Sequence, residues 1–144
     1  MALVTTGVVI LRYGFEQGAI AAQESVLYLH GTLFMLGAAP TLLADKHVRV
    51  DVFYRNFSPR QQTWVNTLGH ALFTTPICLL IIFGSWNYVA ESWSIKESSP
   101  EPGGIPAVFL LKTLIPAMAA LLLLQAISAI ISGLIELSEV PAND

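Results

Sequence analysis

The sequence predicts an all-α integral membrane bundle of four transmembrane helices, the first read as truncated, with a short amphipathic cytoplasmic segment. Three observations predict it. Of 144 residues, 54% are hydrophobic and 12% charged, about half the charged share of a soluble domain. The apolar residues gather in long runs, three of which reach the roughly 20 residues that cross a bilayer. Between the runs stand proline, serine and basic signals that start, stop and orient helices. Residues 1–144 read as a single membrane domain.

The first span covers about 1–15, but its apolar part, residues 1–11, has only about half the length a spanning helix needs. It fits a half-inserted segment, or a longer helix whose true start lies upstream. A signal peptide would need a basic start and a small-residue cleavage site, and both are missing. Full spans follow over 25–44, 64–90 and 106–135. Ser58-Pro59-Arg60-Gln61 supplies a capping serine, a proline at the first helical position and a glutamine three residues after the cap. Residues 98–106, with Pro100, Pro102, Gly103 and Gly104, cannot be helical until Pro106, which is expected to open the last helix. Pro40, Pro76 and Pro116 predict a kink in each full span.

Orientation follows from the short loops. Residues 45–62 hold Lys46, Arg49, Arg55 and Arg60, against Lys96 alone in 91–105 and Arg12 alone in 12–24. Basic residues stay inside, so 45–62 and both termini are expected in the cytoplasm and 91–105 outside. Trp86, Tyr88 and Trp93 then anchor the outer interface, and Tyr54 and Trp64 the inner one. Within 45–62, Val48, Val52, Phe53 and Phe57 recur at near-helical spacing between Arg49, Asp51 and Arg55, as in an interfacial helix. Val48, Val50 and Val52 also alternate as in a strand, although a lone strand at a bilayer surface leaves its backbone unsatisfied.

Chemistry-bearing motifs are scarce. The chain has no Gly-rich phosphate loop, no HExxH and no paired His/Cys ligands, so no catalytic, cofactor or metal site is predicted. The four arginines never cluster, which removes support for nucleic-acid binding. The single cysteine, Cys78, reads as a small core hydrophobe. Acidic residues are absent from the middle of every span, where an ion or proton pathway would need them. His30 and His70 differ in depth by roughly 13 Å, too far to share a metal or a haem, and each is expected to form a helix–helix hydrogen bond. Asn66, His70 and Thr74 line one helix face at i, i+4, i+8, and Gln125, Ser128 and Ser132 another at i, i+3, i+7. Such stripes are consumed by packing inside the bundle or by docking onto a larger partner. Lys112 is expected to snorkel to the interface, and Arg49 and Asp51 to pair with neighbours or lipid headgroups.

Taken in order, these signals resemble a family. They are Leu11-Arg12-Tyr13, Glu24, His47-Val48-Arg49-Val50-Asp51, Ser58-Pro59, Ser98-Ser99-Pro100, Gly104-Ile105-Pro106, Leu114-Ile115-Pro116 and Gln125. The set is similar to the small membrane subunit (DctQ-like) of tripartite ATP-independent periplasmic (TRAP) transporters. In that family a full helix precedes the Arg-Tyr pair, so the present start is expected to be late. The resemblance implies a non-enzymatic subunit in the bacterial inner membrane. Its partners would be membrane lipids, a large membrane subunit holding the substrate and sodium sites, and a periplasmic solute-binding protein. The task would be to brace a scaffold during sodium-driven import of an organic acid or related solute. Arg12, Glu24, Arg49, Asp51, Asn66, His70, Thr74, Gln125, Ser128 and Ser132 become structural or interface candidates. Lys96, Glu97, Ser98, Ser99 and Glu101 become candidates for contact with the periplasmic partner. The alternative is an autonomous four-helix transporter acting as a homo-oligomer, which would need an ionisable residue at mid-span.

Overall fold

The computed structural model describes residues 1–15, 18–44 and 54–139, and every regular element among them is helical. Helix α1 is Ala2–Gly14, α2 is Ile20–Leu43, α3 is Pro59–Gly69, α4 is Thr75–Ser94 and α5 is Val108–Glu139. A single 3₁₀ turn, Tyr54–Asn56, precedes α3, and one π turn, His70–Thr74, joins α3 to α4. Ile20–Leu43, Pro59–Ser94 and Val108–Glu139 are long and apolar enough to cross a membrane, and Ala2–Gly14 is a shorter apolar helix. The helix ends differ from the ends of the apolar spans because hydropathy marks lipid-facing length, whereas helix ends are set by caps.

The caps are local and explicit. The Ser58 hydroxyl accepts from the Gln61 N–H at 3.4 Å, and the Gln61 side chain accepts from the Ser58 N–H at 3.0 Å, with Pro59 opening the helix. Helix α4 closes in a Schellman arrangement. The Lys96 N–H reaches the Trp93 carbonyl, the Glu97 N–H reaches the Ser92 carbonyl, and Lys96 adopts the left-handed conformation with φ 49°. Pro106 does not open α5 as expected. It stands two residues before Val108, and the first turn is instead tied down by the N–H of Leu110 reaching the Ala107 carbonyl.

The π turn has a physical cause. In an unbroken α-helix the ring of Pro76 would meet the carbonyl of Leu72, four residues earlier. Here the Thr75 N–H reaches back five residues to the His70 carbonyl, widening the turn just ahead of the proline. Pro40 and Pro116 lie inside α2 and α5, so each removes one N–H from its helix ladder.

The chain forms two compact units, Met1–Gly37 with Gly84–Ala117, and Ala38–Phe83 with Met118–Asp144. In the first, Val8, Val89 and Ser92 are buried, and Gly31 lets α2 lie against Leu111 and Leu114 of α5. In the second, Cys78 is buried as expected of a small core hydrophobe, and Thr67, Ala119, Ala126 and Gly133 are buried too. Ala119, Ala126 and Gly133 recur every seven residues and so form one line along α5. A Cβ at Gly133 would collide with the Thr67 hydroxyl of α3, so this close approach requires glycine. Gly133→Ala is expected to lower stability by about 1–3 kcal/mol. Adding Thr67→Ala, which removes the clashing hydroxyl and keeps a helix-forming residue, should recover most of the melting temperature of the purified protein, and an additive loss would contradict the contact.

Candidate functional site

A polar cluster occupies the segment between α4 and α5, and Glu24 of α2 organises it. One carboxylate oxygen of Glu24 accepts from the Ser99 hydroxyl, and the other accepts from the Ile105 N–H at 2.6 Å. Ser99 in turn accepts from the Glu101 N–H at 3.2 Å. The Gly104 N–H closes a turn onto the Glu101 carbonyl at 3.0 Å, with Pro102 and Gly103 as its central residues. Gly103 has φ 81°, as the second central residue of a type II turn requires. Gly104 is needed for space: a Cβ there would lie 2.5 Å from the Ser99 Cβ and 2.8 Å from a Glu24 oxygen.

A second anchor lies beside it. Lys112 donates to Glu97 at 2.5 Å and sits 4.0 Å from the centre of the Tyr88 ring. Lys112 therefore does more than snorkel: it holds the chain just beyond the Schellman end of α4. The Glu97 carbonyl also accepts from the Val108 N–H at 3.1 Å. Lys96 lies over the rings of Trp93 and Phe109, at 4.7 and 5.1 Å. Trp93 packs edge-on against Phe109 at 4.7 Å and donates from its indole to the Thr113 hydroxyl at 2.8 Å. The Lys112 ammonium holds the Glu97 carboxyl below its ordinary value of 4.5.

Among the candidates for contact with a periplasmic partner, Glu97 and Ser99 are occupied within the chain and Lys96 is laid on aromatic rings. Ser98 and Glu101 are exposed. Arg12 and Glu24 are brought together, with Glu101, in the lining of one open cavity of about 740 Å³ that includes Val8, Gln23 and Leu27.

The remaining candidates are dispersed. Asn66 donates to the Tyr54 hydroxyl at 2.8 Å, and His70 lies 3.3 Å from the Thr74 hydroxyl within the π turn. Internal packing thus takes up Asn66, and His70 and Thr74 meet each other on their own helix. His30 does not form the expected helix–helix hydrogen bond. It is exposed and stacks on Phe34 of its own helix at 6.4 Å, because its position on α2 faces away from the packed side. Gln125, Ser128 and Ser132 form no hydrogen bond among the described residues through their side chains. Arg49 and Asp51, with the expected interfacial helix or strand around them, lie outside the described residues. Sequence reasoning missed Lys112 with Glu97, Trp93 with Thr113 and the Gln62 amide donating to the Tyr54 and Phe57 carbonyls. Only the last, local to one helix start, left a signal in the sequence.

Apolar helices of spanning length with charges confined to their ends define a multi-pass helical membrane protein. The profile of the DctQ component of tripartite ATP-independent periplasmic transporters matches residues 1–136, and the chain belongs to that family. It is 26% identical over 107 residues to the C4-dicarboxylate TRAP transporter small permease protein DctQ of Vibrio cholerae, covering 71% of this chain and 46% of that protein. It is 35% identical over 78 residues to a protein of Haemophilus influenzae named as a TRAP transporter small permease, covering 54% of this chain and 48% of that one. The chain thus spans about half the length of these curated relatives. No solved structure matches it.

Two expectations follow from the cluster. Stability should fall in the order wild type, Glu24→Gln, Glu24→Ala, because glutamine keeps one acceptor and alanine leaves the Ser99 and Ile105 donors without any. Tryptic cleavage after Lys96 should accelerate in the same order, and unchanged cleavage in Glu24→Ala would refute the anchor. The second concerns acid. Because the folded-state value of Glu97 is depressed, its contribution is complete above the unfolded value and is lost as pH falls through the folded one. The melting-temperature gap between wild type and Glu97→Gln should therefore be constant near neutrality and shrink below about pH 4.5. A gap that persists at low pH would show that the clamp is not ionic.

Proposed function

We propose that this chain is a static brace for the large membrane subunit of a TRAP transporter, which carries the substrate and sodium sites. The assembly imports an organic acid or related solute delivered by a periplasmic binding protein, driven by a sodium gradient. The observation that supports this reading is the distribution of charge. Residues 25–43, 61–90 and 113–135 contain no Asp, Glu, Lys or Arg, so no span carries a fixed charge at its centre. Ionisable residues at mid-depth are the usual mark of an ion or proton pathway through a bilayer. A body whose charges instead fasten its ends is suited to holding another subunit in place.

The proposal includes orientation, with residues 45–62 and both termini in the cytoplasm and the Glu24-bound segment in the periplasm. Reconstituted alone, the chain should give no solute flux under a sodium gradient. Reconstituted with the large subunit and binding protein, it should restore flux. In cells carrying the Cys78→Ser background, an impermeant thiol reagent should reach cysteine placed at Ser98 and not at Asn56. Robust flux by the lone chain would overturn the brace, and labelling of Asn56 from outside would overturn the orientation.

A further inference from the structure

We infer that the Gln125–Ser128–Ser132 face of α5 is the surface on which a spanning helix of the large membrane subunit docks; this rests on the assembly proposed above. Helix α5 runs from Val108 to Glu139, and Gln125 stands about 2 Å from its midpoint, where the bilayer offers no water. Its amide is partly exposed and makes no hydrogen bond with any described residue. Ser128 and Ser132 are exposed beside it and likewise unbonded through their side chains. A primary amide at that depth needs a donor and acceptor from a neighbouring protein, since lipid tails supply neither.

The face is separate from the packed side of α5. At 100° per residue, Gln125, Ser128, Ser132, Glu136 and Glu139 fall within an arc of about 80°, whose centre lies about 120° round the helix from the line of Ala119, Ala126 and Gly133. Ser128, Ser132, Glu136 and Glu139 are exposed and Gln125 is half-exposed, so no described residue covers this face.

Charge selects the occupant. Two copies of this chain insert in the same direction, and a two-fold contact through this face would set Glu136 and Glu139 against their own copies. Like charges there oppose self-association. A heterologous helix with a hydrogen-bonding side chain at mid-depth and lysine or arginine level with Glu136 and Glu139 meets both requirements.

The test uses the co-expressed complex of this chain with its large subunit, purified in detergent. Benzoylphenylalanine in place of Ser128 should cross-link to the large subunit on irradiation, and the same residue in place of Ile127, about 140° round α5 from the centre of this face, should not. Gln125→Leu should weaken recovery of the complex about threefold, the size of a typical interhelical hydrogen bond in a membrane, with Gln125→Asn recovering part of it. An adduct of twice this chain's mass from Ser128 would overturn the inference in favour of a self-contact. Adducts from Ile127 with none from Ser128 would overturn it too. Failure of the wild-type chain to co-purify with the large subunit at all would sink the assembly itself, and this surface with it.

Discussion

The two oxygens of Glu24 hold the connection between the last two spans in one conformation. Ser99 and Ile105 lie 75 and 81 residues further along the chain, yet both donate to this one carboxylate. The segment's own turns take up the N–H groups of Ser99, Gly104 and Val108, and the Ile105 N–H is left to this external acceptor. The other features fit around that bond. Gly104 is small so that the carboxylate can approach, Pro102 and Gly103 reverse the chain, and Ser99 relays the contact to the Glu101 N–H.

Lys112 and Glu97 apply the same principle at the other end of the segment. Each partner is long and flexible, and neither is deeply buried, so the pair fixes position more than it adds energy. The Tyr88 ring beneath the ammonium narrows the geometry further. Charge in this protein therefore does its work at helix ends, while contact between helices is left to small residues such as Gly31 and Gly133.

What was legible in the sequence was local. The capping box at Ser58, the helix-breaking run from Ser98 to Gly104 and the three long spans each rest on neighbouring residues whose chemistry is decided within a few positions. What was not legible joins residues far apart in the chain. Nothing near Glu24 announces Ser99, and nothing near Lys112 announces Glu97, because a single charged residue close to an interface has many equivalent partners until the fold chooses one. His30 shows a different failure. The expected hydrogen bond to another helix does not form, because which side of α2 faces protein depends on packing that the nearly uniform apolarity of that helix conceals. Lys96 in the left-handed region could not have been foreseen either, since glycine is the residue that position ordinarily takes.

The π turn at His70–Thr74 acts on the span as a frame shift acts on a message. One extra residue per turn advances every later side chain by about 100° relative to the face it would occupy on an unbroken helix. Residues before His70 and after Thr75 must therefore be read in two registers, and a periodic pattern drawn straight through Pro59–Ser94 assigns the second half to the wrong side. A one-residue deletion within this turn is thus a different kind of change from a deletion elsewhere in the span. It would return the two halves to a common register while restoring the conflict between Pro76 and the carbonyl four residues before it.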